Sequence, residues 1–233
     1  MTVTHRLVTS TIKTLTALLC RIDAGQLARV PERGPLILVA NHINFLEVPV
    51  LYPRLQPRPV ASFAKAETRD TPGLRFLADL WGAIPIRRGE PDLTALRQGL
   101  AALQAGYIVA VAPEGTRSGH GRLQRGHPGV VLLALRSGAP LLPMACYGAE
   151  NYRRDWRRLR RADFHIVVGQ SFHLRADGVK VTRAVRQQMT GEIMYQLAAL
   201  LPPAYRGDYA NLDAATEIHL RFPPSSQSNI RRA

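Results

Sequence analysis

Long hydrophobic runs are absent from the 233-residue sequence. No window holds the eighteen or more uninterrupted apolar residues of a membrane-spanning helix, so no such helix is expected. The first twenty residues carry His5, Arg6 and Lys13 ahead of only a brief apolar stretch, and no small-residue cleavage site follows it. This pattern does not match a secretory signal peptide. We therefore expect a protein that is neither integral to a membrane nor secreted.

Cysteine and acidic residues are also scarce. The two cysteines, Cys20 and Cys146, are too few for the disulfide framework of a small secreted domain, which suits a reducing compartment. Asp and Glu total 17 against 31 Lys and Arg, which gives a formal net charge of +14. The excess predicts anionic partners. Charge alone does not choose between nucleic acid, an anionic membrane surface and a phosphorylated substrate.

The densest basic stretch lies between residues 153 and 161, where six arginines surround Trp156. It is the best argument for binding to nucleic acid. The sequence carries no recognisable nucleic-acid-binding fold, however, so no specific nucleic acid is expected as a partner. The same stretch suits docking on anionic lipid, or an ordinary solvated surface.

Near the start of the chain, apolar side chains recur at helical spacing: Val8, Ile12, Leu15, Leu18 and Leu19. The spacing predicts an amphipathic helix within residues 1–29, which lies in a membrane interface or packs on the protein's own core. The chain length fits a single domain, which we assign to residues 30–212. Residues 213–233 include the stretch 223–228, which consists of two Pro, three Ser and one Gln, so we expect a loosely ordered tail there.

Within residues 30–212, apolar runs alternate with helical patterns. Buried strands are expected at 36–40, 60–64, 107–112, 141–147 and 164–168, with a short one within 82–89. Helices are expected at 71–80, 93–105, 130–135 and 181–201. This alternation predicts an α/β fold: a single domain with a mostly parallel mixed sheet that is covered by helices on both faces.

The apolar run 36–40 ends at a polar cluster with Asn41, His42 and Asn44, and Glu47 follows shortly after. A continuous strand would hold His42 and Glu47 about 16 Å apart on opposite faces. A continuous helix would separate them by about 7.5 Å along its axis and roughly 140° around it. The two side chains meet only if His42 lies in a turn and Glu47 in the first helical turn after it. Such a pair is typical of a general base and its orienting carboxylate, although a histidine at a strand end is often only a solvated loop residue.

Two further strands end in polar residues. Arg87 and Arg88 close one of them, and Glu114-Gly115-Thr116-Arg117-Ser118 follows another. Because the carboxyl ends of parallel strands share one edge of a sheet, the three clusters are predicted to converge on one cleft. A histidine and carboxylate pair can take a proton from a hydroxyl. Guanidinium groups and a glycine-flanked hydroxyl suit a phosphate.

Four blocks in order along the chain resemble the glycerophosphate acyltransferase family, which includes the 1-acylglycerol-3-phosphate acyltransferases. NHINFLE is similar to the family's N-H-x4-D block, and PEGTRS to its phosphate-binding block. AKAETRDTPGLRFLADLWGAIPIRRG resembles the central segment, and LQRGHPGVVLLALRSGAPLLPMA resembles the third and fourth blocks. The resemblance covers roughly residues 30–148.

The resemblance implies a role for each matching residue. His42 would deprotonate the hydroxyl of a phosphorylated lysolipid, which then attacks the thioester of acyl-CoA or acyl-carrier protein, and Glu47 would orient His42. With 1-acylglycerol-3-phosphate as acceptor, the product would be phosphatidic acid. The residues implied in holding the acceptor are Arg87, Glu114, Gly115, Thr116 and Arg117, with Lys65 and Arg125 as secondary contacts. No metal or redox cofactor is implied.

The sequence departs from the family at Glu47, where the usual residue is Asp. The longer side chain still allows a hydrogen bond to the imidazole but requires a different backbone distance. A catalytically weak or silent lipid-binding protein of the same fold therefore stays open, as does an acyltransferase for a different lipid acceptor. The expected location is cytoplasmic, in peripheral association with the inner face of the membrane.

Overall fold

A computed structural model describes residues 2–87, 92–224 and 226–232. The α-helices in these ranges are α1 (Val3–Leu19), α2 (Glu47–Leu55), α3 (Pro72–Leu80), α4 (Leu93–Gln104), α5 (Gly129–Ser137), α6 (Tyr152–Arg157) and α7 (Arg183–Ala198). The strands are β1 (Cys20–Asp23), β2 (Leu36–Ala40), β3 (Val60–Lys65), β4 (Ala83–Ile86), β5 (Ile108–Val111), β6 (Leu141–Tyr147), β7 (Ala162–Val168), β8 (His173–Leu174) and β9 (Leu220–Arg221).

Seven strands form one sheet in the order β1-β7-β6-β2-β5-β3-β4. The five strands β2 to β6 run parallel to one another, while β7 is antiparallel to β6 and β1 is parallel to β7. β2 lies in the middle of the sheet and is buried on both faces, which accounts for its continuous apolar sequence.

Helices cover both faces of this sheet. Ile37 and Val39 contribute to the core beneath α4, α5 and α7, whereas Leu36 and Leu38 contribute to the core beneath α2, with α1 and α3 beside it. The predicted α/β fold with a mostly parallel mixed sheet is therefore confirmed, and the predicted strands and helices recur with shifts of a few residues at their ends.

The N-terminal segment differs from the expectation. The helix ends at Leu19, and the next four residues form the edge strand β1 instead of continuing a helical segment to residue 29. β1 alternates buried and exposed residues, and its Arg21 pairs with Asp163 of β7 at 2.7 Å. α1 packs against α2, where Thr16 Oγ1 accepts a hydrogen bond from Arg54 Nη1 at 3.0 Å. None of the helices in the described ranges, α1 included, has the length and hydropathy needed to cross a membrane.

The C-terminal segment also differs, because the described part of residues 213–233 is packed and not loosely ordered. β9 pairs with β8, and Asn229 is buried. The backbone N–H and the side-chain Nδ2 of Asn229 each donate to Gln196 Oε1 of α7 at 2.9 Å. Buried amides require hydrogen-bond partners. Polar residues of this segment are therefore the partners of polar residues on α7.

Candidate active site

His42 and Glu47 face each other at the carboxyl end of β2. The strand stops at Ala40, the chain turns, and Glu47 is the first residue of α2. His42 Nδ1 lies 2.8 Å from Glu47 Oε2. The carboxylate is shielded from water, since Glu47 is only 4% exposed. The predicted geometry, with His42 in a turn and Glu47 in the first helical turn, is confirmed.

Asn44 holds the carboxylate of Glu47 in place. The Asn44 backbone N–H lies 3.1 Å from each carboxylate oxygen. Its side chain is fixed in turn, because Nδ2 donates to Ala149 O at 2.9 Å and Oδ1 accepts from Leu46 N–H at 2.8 Å. The N-terminus of α2 favours a negative charge at the same place. Asn44 belongs to the polar cluster seen in the sequence, but no role was predicted for it.

The second ring nitrogen of His42 faces Arg117. A carboxylate accepts hydrogen bonds but does not donate them, so Nδ1 carries the ring hydrogen and Nε2 presents its lone pair. Arg117 Nε lies 3.4 Å from His42 Nε2. The guanidinium carbon of Arg117 is 5.8 Å from the centre of the Phe45 ring. The base and one predicted acceptor-binding cation are therefore neighbours.

Glu114 is buried next to His42, with 2% of its surface exposed. Its Oε1 accepts from the backbone N–H of His42 at 2.9 Å, and its Oε2 accepts from the N–H of Gln124 at 3.0 Å. Burial raises the pKa of this carboxyl to about 7, although the two N–H donors act in the opposite direction. From the sequence, Glu114 was predicted to be one of the acceptor contacts. The structure favours a positioning role, because both oxygens bind backbone and the side chain joins two loops.

Two backbone hydrogen bonds join the same segments. Ser118 N–H donates to His42 O and Gly119 N–H donates to Ile43 O, both at 2.8 Å. The turn that carries the base is thus fixed to the segment after β5 by main-chain and side-chain contacts. A displacement of either segment would move His42.

Gly115 and Thr116 lie between Glu114 and Arg117. Gly115 has a φ of +67°, and a Cβ at this position would lie 3.1 Å from His127 Cδ2. Thr116 is exposed, so its hydroxyl is accessible to a ligand. His127 was not singled out from the sequence, and its position in a glycine-rich loop was the only available signal.

The other predicted cations lie farther along the same sheet edge. Lys65 is the last residue of β3 and pairs with Glu67 at 3.3 Å, while Arg87 directly follows the edge strand β4. These strands are two and three positions from β2, or about 10 Å and about 14 Å across the sheet. Arg125 is exposed in the loop between β5 and α5. Arg88 lies outside the described residues.

Residues 203–210, which we call the strap, accept hydrogen bonds from the backbone of the loop that carries Arg125. Leu123 N–H donates to Tyr205 O at 3.0 Å, and Gly126 N–H donates to the Tyr209 hydroxyl at 3.0 Å. Leu123 and Tyr209 are both buried. No local sequence signal predicts this contact, because the strap lies some eighty residues after the loop.

This arrangement suits proton transfer to His42 from the hydroxyl of a ligand that also carries an anionic group. His42 can accept the proton, and the carboxylate of Glu47 stabilises the imidazolium that results. Across the described ranges, no carboxylate lies within ion-pair distance of Arg117, so its charge is available to a ligand. The same part of the chain shows no group of three or more His, Cys, Asp or Glu side chains that could hold a metal ion.

Comparisons with known proteins identify a matching family model and several similar sequences. A family model described as Acyltransferase matches residues 21–147. The chain is 34% identical over 124 residues to a lyso-ornithine lipid O-acyltransferase of Pseudomonas aeruginosa, which covers 53% of this chain and 45% of that protein. It is 25% identical over 187 residues to a 1-acyl-sn-glycerol-3-phosphate acyltransferase of the same organism, which covers 78% of this chain and 71% of that protein.

More distant similarities agree with these. A chloroplastic 1-acyl-sn-glycerol-3-phosphate acyltransferase of Brassica napus is 28% identical over 131 residues, which cover 55% of this chain and 38% of that protein. The alignment thus spans less than half of two of these three relatives. The crystal structure of the 1-acyl-sn-glycerophosphate (LPA) acyltransferase PlsC of Thermotoga maritima superposes with a TM-score of 0.58 at 21% identity, over 79% of this chain and 76% of that chain. At this identity the likeness shows the fold.

Proposed function

The chain belongs to the acyltransferase family, and from this premise we propose that it is an O-acyltransferase of lysolipids. The acceptor hydroxyl gives its proton to His42 Nε2, and its oxygen attacks the carbonyl carbon of an acyl thioester. The carbon–sulfur bond breaks, and the departing thiolate takes the proton from the imidazolium. The acyl chain remains on the acceptor as an ester.

The observation that carries this proposal is the 2.8 Å contact between His42 Nδ1 and Glu47 Oε2. It fixes the ring, keeps the hydrogen on Nδ1 and directs the Nε2 lone pair outward. A positioned base of this kind contributes about 10² to 10⁴ in rate. No protein nucleophile is needed, because the thioester is already an activated acyl donor.

We propose 1-acylglycerol-3-phosphate as the acceptor, with phosphatidic acid as the product. Two cations support an anionic acceptor: Arg117 beside the base, which forms no ion pair with a carboxylate of the described residues, and the exposed Arg87 on the same sheet edge. The name of one Pseudomonas relative favours lyso-ornithine lipid as a second candidate. The donor is the thioester of CoA or of acyl-carrier protein.

An acyl-transfer assay tests the proposal. Purified protein is incubated with labelled acyl-CoA or acyl-carrier protein and a panel of acceptors that includes both lysolipids, and His42→Ala serves as the blank. We expect acylation of one acceptor and its loss in the blank. A folded wild-type protein that acylates nothing would overturn the proposal in favour of a catalytically silent lipid-binding protein.

Arg117→Ala and Arg87→Ala test whether the two arginines hold the acceptor phosphate. A lost charge-assisted contact costs about 1.5 to 3 kcal/mol, or roughly 10- to 150-fold in kcat/KM. Without the phosphate group there is no contact to lose, so the dephosphorylated acceptor should show no such loss. The measurement is kcat/KM on both acceptors, with the melting temperature as the folding control. Equal losses on both acceptors would contradict the assignment.

We further propose that the protein docks on an anionic membrane surface, which places it peripherally on the cytoplasmic side. The outer side of α1 carries the exposed apolar side chains of Val3, Leu7, Leu15 and Leu18. Beside it lies the basic segment, residues 153–161, in which Leu159 is 97% exposed between arginines. Exposed apolar groups rimmed by cations suit a bilayer interface.

Three hydrogen bonds join the basic segment to the end of α1 and the start of β1. Trp156 Nε1 donates to Leu19 O at 3.0 Å. Arg161 Nη2 donates to Ala17 O and to Cys20 O, both at 2.6 Å. These bonds satisfy carbonyls at the C-terminal end of α1, where a cation is favourable. The exposed apolar side chains of α1 and the cations of the basic segment therefore lie next to each other and would contact the same membrane surface.

A further inference from the structure

We infer that Arg117 is a specificity-determining residue that covers the general base until an anionic acceptor draws it away. The inference rests on the proposed function and adds to it. Binding of the phosphate would then be coupled to the chemical step, so that water and neutral hydroxyls are poor substrates even when they reach the site.

The atom of His42 that takes the proton from the acceptor is Nε2. Its partner Nδ1 is engaged by Glu47 at 2.8 Å, so Nε2 alone offers a lone pair for proton transfer. Arg117 Nε, 3.4 Å away, directs its N–H toward that lone pair. A hydroxyl must come within about 2.6 to 3.2 Å of the base to give up its proton. The guanidinium therefore occupies the approach that the acceptor hydroxyl needs.

Only weak contacts hold the Arg117 side chain over Nε2. A contact of 3.4 Å is long for a hydrogen bond, and the other contact is an exposed Phe45 ring with its centre 5.8 Å from Cζ. No carboxylate in the described part of the chain pairs with Arg117. A charge-assisted, two-pronged bond to phosphate is a stronger interaction than either of these. An anionic group close to the site should therefore displace the side chain.

Main-chain hydrogen bonds fix the backbone next to Arg117. Ser118 N–H and Gly119 N–H bind the carbonyls of His42 and Ile43. These bonds keep the Arg117 backbone close to the base while its exposed side chain stays free to turn. The movement therefore requires only a change of side-chain rotamer.

The consequence is protection of the acyl donor. In hydrolysis, water would give a proton to Nε2, its oxygen would bond to the acyl carbon, the carbon–sulfur bond would break, and the thiolate would take the proton from His42. With Arg117 over Nε2, the first proton has no acceptor. The thioester then survives until an anionic acceptor arrives.

The test measures free thiol released from the thioester that supports transfer, in the absence of any acceptor hydroxyl. The three arms contain no addition, the 2-deoxy analogue of 1-acylglycerol-3-phosphate, or a neutral 2,3-dideoxy analogue in which hydrogen replaces the phosphate ester, so that no hydroxyl is present. The proteins are wild type, Arg117→Gln, the double variant Arg117→Gln/His42→Ala, and Arg122→Gln as a control for loss of an exposed arginine from the same loop.

We expect the anionic analogue to raise hydrolysis by wild type and by Arg122→Gln about tenfold or more, since an uncovered base contributes about 10² to 10⁴ in rate. The neutral analogue should have no effect. Arg117→Gln should hydrolyse the donor at the raised rate in all three arms, and the double variant should lose that rate.

Slow hydrolysis by Arg117→Gln, or equal effects of the two analogues, would overturn the inference while wild-type acyl transfer leaves the proposed function intact. Failure of wild type to acylate any lysolipid would remove the proposed function itself. The two failures are therefore distinguishable within one set of proteins.

Discussion

The Glu47 carboxylate lies in a crowded position, with the imidazole at 2.8 Å and the Asn44 N–H at 3.1 Å from each oxygen. We predict that Glu47→Gln lowers kcat far more than Glu47→Asp does. The amide keeps the size but loses the charge that stabilises imidazolium, and its NH₂ group would face a backbone donor. The aspartate keeps the charge and must only reach farther.

Steady-state kinetics at saturating acceptor measure this difference. We expect Glu47→Gln to lose about 10² or more in kcat, with the melting temperatures of the two variants as a control. An Asp variant as inactive as the Gln variant would show that the side-chain length, and not the charge, determines the activity.

Burial disfavours the ionised form of Glu114, so its carboxyl has a pKa of about 7 instead of the ordinary 4.5. Between these values the folded protein binds a proton that the unfolded chain releases, so stability decreases as pH rises. The decrease from this group amounts to about 3 kcal/mol and is nearly complete by about pH 8. Glu114→Gln carries no ionisable group and should not show this decrease.

Urea unfolding at about pH 5 and about pH 8 measures it. The difference in unfolding free energy between wild type and Glu114→Gln should shift by a few kcal/mol between the two pH values. Glu32→Gln, at an exposed surface glutamate, controls for the substitution itself. Parallel pH curves for wild type and Glu114→Gln would contradict the prediction.

Among the strands and helices, those with one simple environment were predictable from local sequence. β2 is apolar throughout because it is buried on both faces, and the alternation of such runs with helical patterns was enough for the fold class. β1 was missed because only two of its residues face the core. The charged Arg21 is accommodated by Asp163, which lies 142 positions away and cannot be recognised from its own neighbourhood.

The same limit applies to the C-terminal segment and to the candidate site. Glu192 of α7 is buried and accepts hydrogen bonds from the backbone of Ile218 and His219, so a polar helix face and a polar tail complete each other. The pairing of His42 with Glu47 was predictable because the two are five residues apart. The role of Glu114 was not predictable, because its partners are main-chain N–H groups, one in its own loop and one 72 positions away in the turn after β2.

The strap gives a prediction for the loop that carries Arg125. Gly207 has a φ of +50° and passes so close to Leu123 O that a Cβ would overlap it. Gly207→Ala should therefore push the loop away, lower stability by about 1 to 3 kcal/mol and raise the KM for the acceptor. Gly178→Ala is a matched control, because its φ is +83° but no atom lies within 4 Å of a Cβ there.

Thermal unfolding and acceptor kinetics on the two glycine variants separate strain from contact. The control should show the cost of a positive φ alone and an unchanged acceptor KM. If Gly178→Ala and Gly207→Ala behave alike in both measurements, the strap does not position the loop.

Over the entire molecule, the excess positive charge is concentrated where it can orient the protein. The basic segment joins the carboxyl end of β6 to the start of β7, and α1 ends just before β1 at the same edge of the sheet. His42 also lies at this edge. A bilayer bound to α1 and the basic segment would therefore meet the edge at which a lysolipid must enter. Docking and catalysis then share one orientation.

Charge reversal at Arg157 and Arg158, two exposed members of the basic segment, tests this arrangement. Each basic residue near an anionic surface contributes about 1 kcal/mol, so the loss of two should weaken binding to anionic vesicles by at least about 30-fold. Wild-type binding should also weaken with salt, since the Debye length is about 10 Å at 0.1 M. Activity on a soluble short-chain acceptor should persist, because neither side chain contacts the candidate site.

The matched control reverses Arg97 of α4 and Arg183 of α7, which are exposed on helices of the opposite sheet face. Vesicle co-sedimentation decides: equal binding of wild type to neutral and anionic vesicles, or an equal loss in the control, would contradict docking through this surface.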